Sequence, residues 1–268
     1  QFNMAKRIPG KEEFHETLRY FARRIETTGT RLVLGHAVAA TDLVAGGYDE
    51  VVLATGVTPR DPRIEGAEEF RESGKVISYV DLLLRGRPAG QRVAVVGAGG
   101  IGFDVSEFLV SGDHSTTLDT EAWLREWGVA DPSVARGGLG RPEITAPQRQ
   151  VYLLQRKPGP LGKGLGKTTG WIHRAQLKMK RVEMIGGVNY ERIDARGLHV
   201  SFGERHEKPT LLEVDTTVLC AGQEPQRALA GPLQAKGAKV HLIGGADFAA
   251  ELDAKRAIEQ GTRLAAAL

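Results

Sequence analysis

A single cysteine, Cys220, is all that the sequence holds. One thiol forms no internal disulfide and ligates no iron–sulfur cluster, so both are excluded within this chain. A reducing, cytoplasmic compartment is therefore expected. No run of eighteen apolar residues occurs, and no transmembrane helix is expected. The opening Gln1-Phe2-Asn3-Met4 lacks the charged-then-apolar pattern of a signal peptide. It also lacks an initiator Met, as expected of a piece cut from a longer chain. No repeat recurs at solenoid periods. Charge of one sign is scarce: the formal net charge is +3, too small to argue for nucleic acid or a membrane as partner. It is compatible with a phosphate-rich small ligand.

What is present is ordinary globular composition, 41% hydrophobic and 26% charged over 268 residues, enough for one large or two modest domains. Gly is plentiful at 34 residues, favouring tight turns and close approach of backbone to ligand. Phe14, Leu18, Phe21 and Ile25 recur at helical spacing and predict a helix over 11–28, ended by Gly29. Strands are predicted over Arg31–Leu34, His36–Ala40 and Glu50–Leu53, then a loop marked by Pro59, Pro62 and Gly66. Val93–Val96 reads as a buried parallel strand and opens a new unit near Arg92. A helix follows, with Val105, Phe108 and Leu109 on one side. The next strand, Val151–Leu154, comes late, leaving 111–150 as an insertion. After a Gly/Lys loop over 158–167 come a helix over Thr169–Lys180 and strands over Val182–Ile185, Gly197–Phe202, Thr210–Glu213, Asp215–Leu219 and Lys239–Ile243. A long helix closes the chain. The order predicts an α/β fold with one dinucleotide-binding unit inserted in another.

Gly97-Ala98-Gly99-Gly100-Ile101-Gly102 springs from the buried strand and opens the helix, the setting that gives G-x-G-x-x-G its meaning. Gly97 permits the tight turn, Gly99 the approach of a pyrophosphate, and Gly102 close packing of helix on strand. The helix N-terminus offers free N–H groups to the anion. Where NAD sites carry an acid at the end of the second strand, this chain has Leu154-Gln155-Arg156-Lys157. The cations Arg156 and Lys157 suit a 2′-phosphate, so NADPH is predicted over NADH. Gly166-Lys167-Thr168 mimics the end of a P-loop, but the first glycine that pattern needs is Leu161. The loop can still cover cofactor phosphates. His173 and Arg174 either face the same site or serve the helix surface.

Val52-Leu53-Ala54-Thr55-Gly56 and Leu219-Cys220-Ala221-Gly222 share one form, an apolar strand running into small residues, with Pro59 and Pro225 beyond. Such turns admit a dinucleotide or simply end a strand. Gly244-Gly245-Ala246-Asp247 places an acid before the last helix, where Asp247 can cap that helix or bond a ribityl hydroxyl. Cys220 reads as a small buried hydrophobe. Trp123, Trp127 and Trp171 read as packing residues rather than a stacking platform.

Several of these stretches together resemble the C-terminal part of the bacterial NADPH-dependent 2,4-dienoyl-CoA reductases: Gln1–Phe14, Val51–Arg60, Val93–Gly102, Leu153–Lys157, Gly164–Arg174, Cys220–Pro225 and His241–Leu264. Gly164–Arg174 is the most specific. The resemblance implies a flavin disulfide-reductase-like architecture: a Rossmann-like NADP-binding domain over 89–220, inserted in a truncated FAD-binding domain of 1–88 and 221–268. It implies FAD contacts through Ala54, Thr55, Gly56, Ala221, Gly222, Gly245 and Asp247. It also implies a role in β-oxidation of unsaturated acyl-CoAs, in which an FMN barrel reduces the substrate and an iron–sulfur cluster feeds it from FAD. Barrel and cluster lie outside this chain, so no catalytic residue is assigned. The FAD domain's own Gly-rich turn is also missing, so weak FAD binding and no activity are expected of the chain alone. A relative of the trimethylamine dehydrogenase kind, with a structural domain that no longer uses NADPH, is the alternative.

Overall fold

The computed structural model describes residues 1–111, 115–250 and 253–268. By internal contact the chain forms two compact units. One is Gln1–Arg19 with Asp61–Ala221; the other is Tyr20–Arg60 with Gly222–Leu268.

The chain opens with α1 (Phe2–Ala5), α2 (Phe14–Thr27), α3 (Ala40–Ala45), β1 (Val51–Leu53) and β2 (Val57–Pro59). Phe14 lies edge-on to Phe2 with ring centroids 5.2 Å apart. The strands expected over 31–34 and 36–40 do not form. Leu32, Val33 and Leu34 stand exposed, and no described strand lies beside them to take up their backbone hydrogen bonds. A strand without a neighbour has no ladder and little burial to hold it.

The first unit continues with β3 (Val76–Ser78), α4 (Tyr79–Leu83), β4 (Arg92–Val96), α5 (Gly100–Val110), α6 (Thr120–Trp127), β5 (Gln150–Gln155), α7 (Gly170–Met179), β6 (Glu183–Gly186), β7 (Val188–Asp194), β8 (Gly197–Phe202), β9 (Glu207–Leu212) and β10 (Thr216–Leu219). Five strands build a sheet in the order β3-β10-β4-β5-β6, every pair parallel. Alternation along β4 serves two cores. Val93 and Val95 join a cluster with Phe103, Leu109 and Leu177 of the helices. Ala94 and Val96 join Ile193, Leu198 and Val200 of the antiparallel sheet β7-β8-β9. With helices on one face and a second sheet on the other, the parallel sheet is covered on both sides, as its apolar composition demands. Each valine of β4 is 0% exposed, and burial of that kind contributes roughly 1.5–3 kcal/mol per side chain.

The insertion between α5 and β5 is anchored by a buried ion pair. Glu126 of α6 meets Lys180, just past α7, at 2.6 Å. Thr116 Oγ1 donates to Glu126 at 2.7 Å, and Lys180 Nζ donates to Thr145 Oγ1 at 2.5 Å. The start of the insertion, 112–114, lies outside the described residues.

In the second unit β1 pairs in parallel with β12 (Val240–Leu242). The two turns of like sequence lead into β2 and β11 (Gln223–Pro225), which pair with each other antiparallel, Gln223 opposite Pro59. Both strands are edges, so both prolines are tolerated. Leu53 packs with Ala230 and Leu233 of α8 (Ala230–Gln234). The last helix, α9 (Ala254–Ala267), is capped by Asp253, which accepts from the Arg256 N–H at 2.7 Å. The capping expected of Asp247 falls to Asp253 because Asp247 lies too far upstream of the first turn.

Candidate functional site

Two glycines of the turn after β4 are closed by backbone and two are open. Gly97 has φ +109°, and a Cβ there would meet the Cys220 carbonyl oxygen at 2.6 Å. A Cβ on Gly102 would overlap the Gly97 carbonyl oxygen. At Gly99 and Gly100, both exposed, an added Cβ would meet nothing within 4 Å. The chain thus turns as tightly as its own backbone permits and leaves room on the outer side. Ala98 and Ile101 pack their side chains toward the helical core. The first amides of α5 have no acceptor within the helix, and they face this open side with the helix dipole behind them. Free amides and an aligned dipole of this kind can receive an anion such as a phosphate.

At the neighbouring strand end, Gln155 Nε2 donates to the Lys157 carbonyl at 2.9 Å, and the Gly187 N–H donates to the same oxygen at 3.1 Å. The backbone is pinned while the Arg156 and Lys157 side chains reach solvent. Among the described residues neither forms an ion pair with a carboxylate. The sequence has no Asp or Glu between Glu143 and Glu183, so this strand end and the following loop carry only basic charges of their own. Tyr190 of β7 connects the two places. Burial pushes its hydroxyl well above the usual phenol range, opposed by the Arg156 charge and by a hydrogen bond from the Gly97 backbone. Nothing in the polar pattern of Val188–Asp194 marks Tyr190 for this position.

The loop after Lys157 is more ordered than its Gly/Lys composition predicts. Leu161 is buried in the helical core, and Gly162 sits so close to the Phe103 ring that a Cβ would lie 2.8 Å from it. Lys163, Lys167 and Arg174 line a hollow of about 320 Å³ over this loop. Arg174 donates to the Gly162 carbonyl at 3.0 Å. His173 Nδ1 lies 2.7 Å from Glu107 Oε1. Both α7 residues therefore turn toward the loop and α5. Glu107, 1% exposed, escaped the sequence reading. Its signal was an acid among the apolar residues of the inward face of α5.

In the second unit Ala54 and Thr55 are exposed, and Thr55 Oγ1 donates to the Gln226 carbonyl at 2.5 Å. Gly222 accepts from the Arg60 N–H at 3.0 Å. Gly244–Ala246 form a buried tight turn. Gln260 accepts from the Gly244 N–H at 2.7 Å and donates to Asp247 Oδ2 at 2.8 Å. Ala221 ends the first unit, beside the turn at Gly97. Cys220 is buried, and burial pushes its thiol far up, so it is an inert core residue. Two of the three tryptophans are more exposed than packing residues usually are. Trp171 is 58% exposed and Trp123 is 38% exposed, because each lies on the outer side of its helix. Trp123 stacks loosely on Trp127 at 6.0 Å.

This chain belongs to the pyridine nucleotide-disulphide oxidoreductase family, whose profile matches residues 5–252. Membership implies binding of FAD and NAD(P)H, and the open cradle at Gly99 and Gly100 fits a dinucleotide. The fold is of the flavin disulfide-reductase kind, Rossmann-like with a parallel sheet. A metal reductase of Desulforamulus reducens is 26% identical over 92% of this chain and 35% of its own length. A bilirubin reductase of Mediterraneibacter gnavus is 24% identical over 97% of this chain and 34% of its own. The chain therefore spans about a third of the length of these curated relatives. Among solved structures, a 2-naphthoyl-CoA reductase in complex with 2-naphthoyl-CoA superposes with TM-score 0.75 at 20% identity, over 98% of this chain and 33% of that one. No described helix is long and apolar enough to cross a membrane.

Proposed function

We propose that residues 89–220 dock NADPH, with the pyrophosphate on Gly97–Gly102 and the 2′-phosphate on Arg156 and Lys157. The open space at Gly99 and Gly100, opposite the closed backbone at Gly97 and Gly102, carries this reading. The FAD side falls to Ala54, Thr55, Gly56, Ala221, Gly222, Gly245 and Asp247. Asp247, held by Gln260 through one oxygen, is oriented to accept a hydroxyl on the other. When bound, NADPH supplies hydride to FAD. The chain's own residues bind and orient; none is assigned a proton transfer.

The reductase in question is of the 2,4-dienoyl-CoA type, with FMN and an iron–sulfur cluster carried by an N-terminal part of the same, longer protein, and a cytoplasmic setting. The family motifs at Gly164–Arg174 support this, as do relatives that are themselves reductases three times as long. Calorimetric titration with NADPH and NADH tests the site. NADPH is expected to bind at least about tenfold more tightly, from the charge-assisted contacts to the 2′-phosphate, and Arg156→Ala should abolish that preference. Equal affinity removes the phosphate assignment, and binding of neither leaves the domain a structural role. Reduction of a 2,4-dienoyl-CoA by the longer enzyme tests the substrate class.

A further inference from the structure

Glu107 is an expensive residue to keep. It lies 1% exposed in a helix whose other buried residues include Phe103, Val105, Leu109 and Val110, where a leucine would pack without losing hydration. Phe103 and Glu107 are one turn apart, so they share a face of α5. Along that face Phe103 supports Gly162 of the loop, and Glu107 meets His173 of α7 at 2.7 Å. Next to His173, Arg174 holds the Gly162 carbonyl at 3.0 Å. The loop's own backbone bonds are few: Leu165 to Gly162, and Thr169 and Gly170 to Gly166. Its position is therefore set from outside, by α5 below and α7 beside it.

We propose that the Glu107–His173 pair is a latch that fixes α7 against α5 and so holds the 158–169 loop beside Arg156 and Lys157. His173 is thereby a positioning residue for the dinucleotide, a role that rests on the NADPH reading above. The charged groups facing the pair are Lys11, from the N-terminal segment, and Asp104 of α5, themselves bonded at 2.6 Å. The hydrogen bond to Glu107 raises the pKa of His173 against the pull of burial. Burial raises that of Glu107, outweighing the attraction of His173. With the histidine raised, the latch is closed below the ordinary imidazole pKa and loosens as pH rises through the elevated value.

The test compares wild type with Glu107→Gln, His173→Gln and His173→Ala. Hydrogen exchange is read first, without nucleotide, at residues 162–170. Wild-type protection, corrected for intrinsic rates, should fall about fivefold between about pH 6 and about pH 8.5. The variants should show low, pH-independent protection while β4 is unchanged, with His173→Gln keeping part of it through its neutral donor. NADPH Kd should follow, weakening about fivefold with pH in wild type and not in the variants. Variant loops protected like wild type at every pH overturn the latch. Exchange as expected with no NADPH binding by wild type supports the latch and overturns the dinucleotide reading.

Discussion

A methyl group on Gly102 would run into the Gly97 carbonyl oxygen, and that atom is backbone that cannot swing aside. Gly102→Ala should therefore lower the Tm and abolish dinucleotide binding together, at a cost of at least about 1–3 kcal/mol for the overpacked joint. At Gly99 an added Cβ meets nothing. Gly99→Ala should keep the Tm and weaken only the binding, because the methyl occupies ligand space; thermal melts beside titrations separate the two. Asp194 supplies a test in acid. Burial would raise its pKa, but N–H donors of Arg196 and Gly197 and the His199 ring hold it at about 2. Its contribution is full above the ordinary 3.8 and is lost as pH falls through about 2. Asp194→Asn should flatten that part of a Tm-against-pH series. At this scale the candidate residues Gly97–Gly102 and Arg156–Lys157 can be picked out from the sequence, because their chemistry is contiguous. The sequence hides the Glu107 latch, whose partner His173 is 66 positions away.

Elements were legible where burial is continuous or strictly periodic. The Val-rich run of β4 and the helix after it stand as read, because packing on both faces of a parallel sheet leaves a plain apolar signature. β7 was missed. Val188-Asn189-Tyr190-Glu191 alternates, but Arg192 stands where the next apolar residue is due, and the register shifts between Tyr190 and Arg192. Strands over 31–40 were over-read because β-branched and aliphatic residues signal a strand only when a neighbour exists to pair with it. The insertion shows the other limit, since its anchor joins two distant elements. Glu126 and Lys180 are each 7% exposed in their side chains, so breaking the pair should be costly. Glu126→Gln or Lys180→Met alone is expected to destabilise by about 3–5 kcal/mol, and a paired apolar replacement by much less. A double-mutant cycle in denaturant measures this.

At the scale of the whole molecule the two units are unequally endowed. The first holds two large apolar clusters; the second buries Leu53, Ala230 and Leu233 and leaves Leu34, Tyr48 and Ile258 exposed. Scanning calorimetry should show two transitions, with the second unit melting at the lower temperature. Exchange protection of β1 and β12 should vanish in that first step, and that of β4 only in the second. The strand order of the first unit carries its own consequence for the growing chain. β10 lies between β3 and β4, so an interior lane of that sheet is filled by its last strand to be made. Until Leu219 has left the ribosome, β3 and β4 face an empty lane, each with an edge of unpaired backbone. A nascent chain stalled before Thr216 should be held by chaperones or aggregate. The unit closes in a single late event rather than strand by strand, and its synthesis ends with a period of exposure that the finished protein no longer displays.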